Sequence, residues 1–169
     1  AAYGALPALE MTALSPGGDR LARVTVTGED RMMMVSRLDT GEILAAARVG
    51  DTKVRDLEWI DDDRILITVT KTDSIPVFGV PRSEFAFGLT FDVAKRSTRR
   101  VFEATPGIAP MLMSTPEIRD TPQGAAVFVR AVSVVGTPRV SLYRIVPATG
   151  YGHLAHEMPY EIDGYVPDA

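Results

Sequence analysis

The chain has 169 residues, 46% of them hydrophobic and 24% charged, enough apolar content to bury a core and too much for a disordered tail. Eighteen Lys and Arg against 22 Asp and Glu leave a formal net charge of −4, so no global positive field draws nucleic acid. No cysteine occurs, which removes disulfide staples, thiolate metal sites and a cysteine nucleophile together, and no apolar run reaches the ~18 residues that cross a bilayer.

The opening "AAYGALPALEMTAL" carries neither the basic flank nor the continuous apolar stretch of a secretion signal. Its end is a strand-like run before Ser15, and "LARVTVTG" follows with Ala22, Val24 and Val26 on one side and Arg23, Thr25 and Thr27 on the other. That period of two predicts a half-buried strand. "RMMMVSRLDTG" is the next, closed by the turn-forming Asp39-Thr40-Gly41. "EILAAARVG" has helix-favouring Ala and Leu, but it lies between two glycines and reads as the fourth strand of a unit covering 8–50.

A second unit, 51–104, reads "VRDLEWIDDDR", "ILITVTKT", "SEFAFGLTFDVAKRS" and "TRRVFEA". A third, 110–158, reads "APMLMSTPEIRDTPQG", "AAVFVRAVS", "RVSLYRIVPATG" and "YGHLAHEM", and "IDGYVPDA" at 160–169 looks like the start of a fourth. The units share slots. "LSPGGDRLARV" and "IDDDRILITV" both run from a polar turn through Asp-Arg into β-branched residues, and Arg20 and Arg64 are 64 − 20 = 44 positions apart. Such a period belongs to propeller blades, so the chain is expected to be all-β, a β-propeller fragment of about three four-stranded antiparallel blades. A β-sandwich of about twelve strands is the alternative, because short strands between regular turns suit it as well.

"LSPGGDRLARVTV" followed by "VSRLDTG" resembles the TolB-type propeller repeat. The order "LPALEMTALSPGGDRLA…VRDLEWIDDDRILITV" is similar to the start of the N-terminal propeller of bacterial prolyl oligopeptidase family members, acylaminoacyl-peptidase-like or dipeptidyl-peptidase-like serine hydrolases to which lasso-peptide isopeptidases are related. Gly17 stands where the repeat has Asp, Arg23 where an aromatic is common, and Val146 where Asp is common. The resemblance implies a non-catalytic propeller segment that gates access to an α/β-hydrolase domain of the parent protein and docks on it, with that domain or a peptide substrate as partner. It also implies a bacterial cytoplasmic or periplasmic setting.

No residue in the chain is expected to be catalytic. A serine nucleophile on a strained strand-to-helix turn needs G-x-S-x-G, which the sequence lacks. His153 and His156, the only histidines, lie an odd number apart in a strand-like segment and are expected on opposite faces. Asp61-Asp62-Asp63 lacks the alternating ligands of a calcium loop and reads as a solvated turn. "KRSTRR" (95–100) reads as an exposed hairpin turn, Met32 to Met34 as packing between blades, and Trp59 as an inner-strand core residue. No metal or cofactor is called for.

Lys71 to Glu84, "KTDSIPVFGVPRSE", is expected to project as an irregular loop, because its two prolines cannot donate to a sheet ladder. Phe78 and Arg82 within it are the candidate contact residues for substrate or a hydrolase domain. Blade geometry gathers this stretch with "EATPGIAPMLMSTP" (103–116) and "SVVGTP" (133–138) at one end, while "SPGGDR" and "LDTG" face the other. A stand-alone protein-interaction propeller, or an engineered propeller fragment, is the competing reading. A fragment of stacked repeats leaves an apolar sheet face at each end, so a homo-oligomer, most simply a dimer, is expected of the chain on its own.

Overall fold

A computed structural model describes residues 9–28, 30–75 and 80–157. Twelve strands follow one another with no helix among the described residues. They are β1 (Leu9–Leu14), β2 (Arg20–Thr27), β3 (Asp30–Arg37), β4 (Ile43–Gly50), β5 (Lys53–Asp61) and β6 (Arg64–Ile75). The rest are β7 (Val80–Asp92), β8 (Ser97–Arg100), β9 (Glu117–Thr121), β10 (Gly124–Ser133), β11 (Arg139–Val146) and β12 (Tyr151–Glu157).

The strands form three separate four-stranded antiparallel sheets, β1-β2-β3-β4, β5-β6-β7-β8 and β9-β10-β11-β12, each in sequence order. Up-and-down sheets of four, stacked one upon the next, are propeller blades. The sandwich is excluded by the second sheet, which is covered on both faces. Ile65, Ile67 and Val69 of β6 pack with Val24, Met33 and Val35 of the first sheet. Leu66 turns the other way and packs with Val127, Val129 and Tyr143 of the third. A strand buried on both sides has no polar face to show, which is why "ILITV" reads as a nearly continuous apolar run.

Alternation decides what lies between sheets. In β2, Ala22, Val24 and Val26 are buried at 0%, 0% and 8% exposure, while Arg23 and Thr25 point to the outer face. Met33 is buried at 0%, whereas Met32 and Met34 face outward, Met32 at 36% exposure. One methionine of the three therefore packs between blades. Trp59 is buried among the residues joining the first two sheets, and its indole N–H donates to the Ala13 carbonyl at 3.0 Å.

The stretch 71–84 departs from expectation. Its described residues, 71–75 and 80–84, continue the β6–β7 ladder, with Lys71 opposite Phe85, Thr72 opposite Glu84 and Asp73 opposite Ser83. Pro81 falls where the register shifts, between the Asp73–Ser83 and Ile75–Val80 pairs, a place where a missing N–H breaks no regular ladder bond. This part of the hairpin also lies beyond the last β7–β8 pair, Leu89 with Arg100, and beyond the Ala86–Leu112 bridge, so among the described residues this end of β7 is an edge that tolerates proline. The suggested fourth unit at 160–169 lies outside the described residues.

Candidate functional site

The turn end of the stack carries a polar clip that ties the first sheet to the second. The Gly17 N–H donates to the Asp62 carboxylate at 2.7 Å, and Arg20 donates to the Asp62 carbonyl at 2.6 Å and to the Asp63 carboxylate at 3.0 Å. A Cβ at position 17 would come within 3.0 Å of the Asp62 carboxylate, so Gly17 lets the two turns approach. The triple aspartate is thus an inter-sheet anchor as well as a turn, and the repeated Asp-Arg was the available sign. Arg64 fills the same slot one blade later, but it pairs with Asp61 across its own β5–β6 turn at 3.1 Å.

The opposite end is where the chain is least regular. Residues 107–113 lie between the second and third sheets and bond to both. Ala109 and Met113 donate to the carbonyls of Val132 and Arg130 at 3.0 and 2.9 Å, and Leu112 donates to the Ala86 carbonyl at 2.9 Å. Val134 donates to the Gly107 carbonyl at 2.8 Å, bringing 133–138 alongside. Ala109, Met111 and Val132 are buried here against Phe85 and Phe87. Of the three segments expected at one end, 103–116 and 133–138 do gather, and the part of β7 that reaches them is Phe85 to Phe87, just past the stretch 71–84. Arg100 reaches back over the Phe87 ring, 4.4 Å from its centre. Phe78 lies outside the described residues. Arg82 is exposed on β7 and forms no ion pair or hydrogen bond with another described residue.

The outer face of the third sheet holds an open depression of about 620 Å³. It is lined by Ser114, Thr115, Glu117, Arg119, Phe128, Arg130 and Leu142. Strand register explains the set. Glu117 lies opposite Phe128, Phe128 opposite Arg144, and Arg130 opposite Leu142, and directly opposed residues share a face. Glu117 is held by Arg119. The depression was not legible in the sequence, because Glu117, Phe128, Arg130 and Leu142 come from three strands whose register is set by tertiary pairing.

The two histidines also differ from expectation. Leu142 pairs with His156 and Arg144 with His153, and a register shift between Leu142 and Tyr143 takes up the extra residue Ala155. The bulge cancels the odd spacing and aligns both histidines with residues of the outer face. Tyr151 and His153 stack with ring centres 4.9 Å apart. Among the described residues neither imidazole is hydrogen-bonded to a serine hydroxyl, and no three His, Asp or Glu side chains gather as a metal site.

Charge shifts mark supports of the blades. Asp92 is held below the usual carboxylate range, chiefly by the Lys95 backbone N–H, which outweighs the opposing effect of burial, with the Lys95 ammonium adding to it. Glu84 is lowered by hydrogen bonds from Thr70 and Arg55. Burial raises Glu58, with Asp56 adding to the effect, and burial raises Tyr143.

No family model and no curated protein matches the chain. Among solved structures it is similar to the Pyrococcus horikoshii acylaminoacyl peptidase, with a TM-score of 0.53 and 17% identity, covering 90% of this chain and 25% of that one. It is also similar to an acylaminoacyl peptidase in complex with Z-Gly-Gly-Phe-chloromethyl ketone, with a TM-score of 0.52 and 14% identity, covering 82% of this chain and 24% of that one. A weaker likeness, TM-score 0.47 and 14% identity over 73% of this chain and 39% of the other, is to Kuenenia stuttgartiensis hydrazine synthase. At these identities the likeness is one of fold. The chain spans about a quarter of the length of the two peptidase chains and shares the fold of that part.

Proposed function

We propose that the chain is a non-catalytic propeller segment of a larger serine hydrolase of the prolyl oligopeptidase kind, in which its irregular end docks on the α/β-hydrolase domain and screens substrate access. The observation that carries this reading is a stack of three four-stranded sheets whose fold matches about a quarter of acylaminoacyl peptidase chains. The absence of G-x-S-x-G from the sequence agrees with a segment that leaves the chemistry to another domain. The isolated chain is expected not to turn over p-nitrophenyl acetate or acetyl-alanine p-nitroanilide. Activity that survives purification and disappears when one of its serines is changed overturns the reading. Reading the coding sequence on both sides of these residues is the direct test: further blades and a G-x-S-x-G element support it, and a free-standing frame of three blades counts against it.

The second reading is a protein-interaction module. It is favoured by the outer face of the first sheet, where Leu14 and Ile43 stand 53% and 54% exposed near Met32 and Met34. Four strands about 4.8 Å apart and some 26 Å long present roughly 500 Å², or about 1,000 Å² when two copies meet, the lower limit of a specific interface. The chain alone is therefore expected to pair through this face. Light scattering that reports a folded monomer across a wide concentration range overturns the pairing.

A further inference from the structure

The second sheet has a neighbour on each face, yet its two middle strands outrun the strands beside them. β6 has 12 residues and β7 has 13, against 9 in β5 and 4 in β8. Lateral pairing ends at Lys53 with Thr70 on one side and at the Ala86–Leu112 bridge on the other. Beyond that level the pairs Thr72–Glu84 and Asp73–Ser83 join the two strands, among the described residues, to each other alone. A two-stranded hairpin with nothing beside it is marginally stable in water. The base of this arm is fastened on both faces. Phe85 packs on one with Ala109, Met111 and Val132. Glu84 points to the other, where its Oε1 accepts from Arg55 Nη2 at 2.7 Å and from the Thr70 hydroxyl at 2.8 Å, with the Lys53 ammonium 3.8 Å away. Arg55 Nε donates to the same hydroxyl at 2.8 Å, which closes a ring of three side chains across β5, β6 and β7.

We infer that the described part of this hairpin beyond Thr70 and Ala86 opens as a unit of its own while the blades stay closed, and that Glu84 is the latch that sets how often it opens. The ring lies at the level where lateral pairing ends, so it is the last polar tie between the arm and β5. Glu84, Arg55 and Lys53 are 42%, 47% and 64% exposed, so salt and competing ions reach the tie and burial does not hold it shut. Local opening of such a weakly tied unit is separate from global unfolding. Ladder geometry says which amides report it. The Ala86 and Gly88 carbonyls accept from Leu112 and Val101, at 2.9 and 2.8 Å, so both residues turn their backbone groups away from β6. Alternate pairs of an antiparallel ladder exchange N–H bonds, so Asp73–Ser83 are bonded within the arm and Ile67–Leu89 within the blade. The arm carries Arg82, and its base meets the link at Ala109 and Met111. Under the docking reading the irregular end therefore has two states, a consequence that rests on that reading, whereas the opening itself does not.

The test is amide hydrogen exchange of the ¹⁵N-labelled chain, read by NMR at Asp73 and Ser83 in the arm and at Ile67 and Leu89 in the same ladder below the latch. In the unaltered chain the arm pair should exchange faster than the blade pair. E84Q keeps the shape of the side chain and removes its charge, and it should speed Asp73 and Ser83 by about three- to tenfold. Ile67 and Leu89 should keep their rates, which also verifies that the variant is folded. Moderate salt should speed the arm pair in the unaltered chain and not in E84Q. The double variant R55Q/E84Q should match E84Q alone, because both changes remove one bond. Equal rates for the arm and blade pairs, no change in E84Q, or an equal rise at Ile67 and Leu89 overturn the inference. A double variant whose rise is the product of the two single rises overturns the latch. A coding sequence without G-x-S-x-G removes the docking consequence and leaves these rates as they are.

Discussion

Between the first and second sheets the chain passes through two residues, 51 and 52, while between the second and third it takes sixteen, 101–116. The short link leaves the first two sheets in direct contact, with Val24, Met33 and Val35 against Ile65, Ile67 and Val69, and the Arg20 clip closing one end. The long link is itself packed. Val101 and Phe102 are buried at 1% each, and the Phe102 ring meets Tyr143 edge-on at 5.5 Å. Phe102 donates its N–H to the Gly150 carbonyl at 2.7 Å, and Gly152 donates to the Thr105 hydroxyl at 2.9 Å. A Cβ at Gly152 would overlap the Phe102 ring, so the glycine makes the space that the ring fills. One junction rests on side-chain packing and a few hydrogen bonds made by side chains, the other on packing plus backbone bonds from an inserted segment.

The largest effect that can break this comparison is expected from F102A. Emptying a fully buried ring site costs about 3–5 kcal/mol. The loss should appear in hydrogen exchange at Val127, Val129 and Tyr143 before it appears at Val24 and Val35. Uniform loss across both junctions would show that the two are one cooperative unit.

I67A is the counterpart at the first junction, and about 2–4 kcal/mol is expected in denaturant unfolding. Here protection should fall first at Val24 and Val35. The clip gives a sharper contrast, because Arg20 and Arg64 occupy equivalent slots. R20A removes donors to Asp62 and Asp63 across the junction and should cost about 1–2 kcal/mol. R64A removes a bond within one strand turn and should cost less than half of that. Equal costs would mean that the inter-sheet reach of Arg20 contributes nothing.

The smallest effect is in pH. The folded-state values of Asp92 and Glu84 lie below their unfolded ones, so each contributes stability that is present above the unfolded carboxylate range and is lost as pH falls through the folded value. Both belong to the second sheet. D92N should flatten the acid limb of the stability curve, and the weaker slope should be accompanied by loss at the 92–95 turn alone. Glu58 runs the other way, raised by burial, so E58Q should leave stability at neutral pH unchanged or slightly higher.

Blade architecture was legible because it rests on local chemistry. The period of two in β2, and a tight turn at Asp39-Thr40-Gly41 in which Gly41 has φ 72°, can be read without knowing any neighbour. What was missed depends on neighbours. Pro81 suggested a loop because its tolerance in a strand is decided by which edge is open. His153 and His156 seemed to diverge because a bulge at Ala155 is invisible in spacing. Residues 107–113 carried no strand pattern, and their bonds go to partners near 86 and 130–134. The depression on the third sheet was hidden for the same reason, since its floor joins β10 and β11 through register.

The bridging run 107–113 has a mechanical consequence. A load that separates the second and third blades must break its bonds to Ala86 and to Arg130 and Val132 as well as the packing, with force shared among several backbone bonds at once. A load on the first junction meets side-chain contacts, the Trp59 bond to the Ala13 carbonyl and one clip at its rim. Under tension from its ends, the molecule should shed its first blade as a separate early event and keep the other two joined to a higher force, a sequence that optical-trap extension curves would display as two unequal rips.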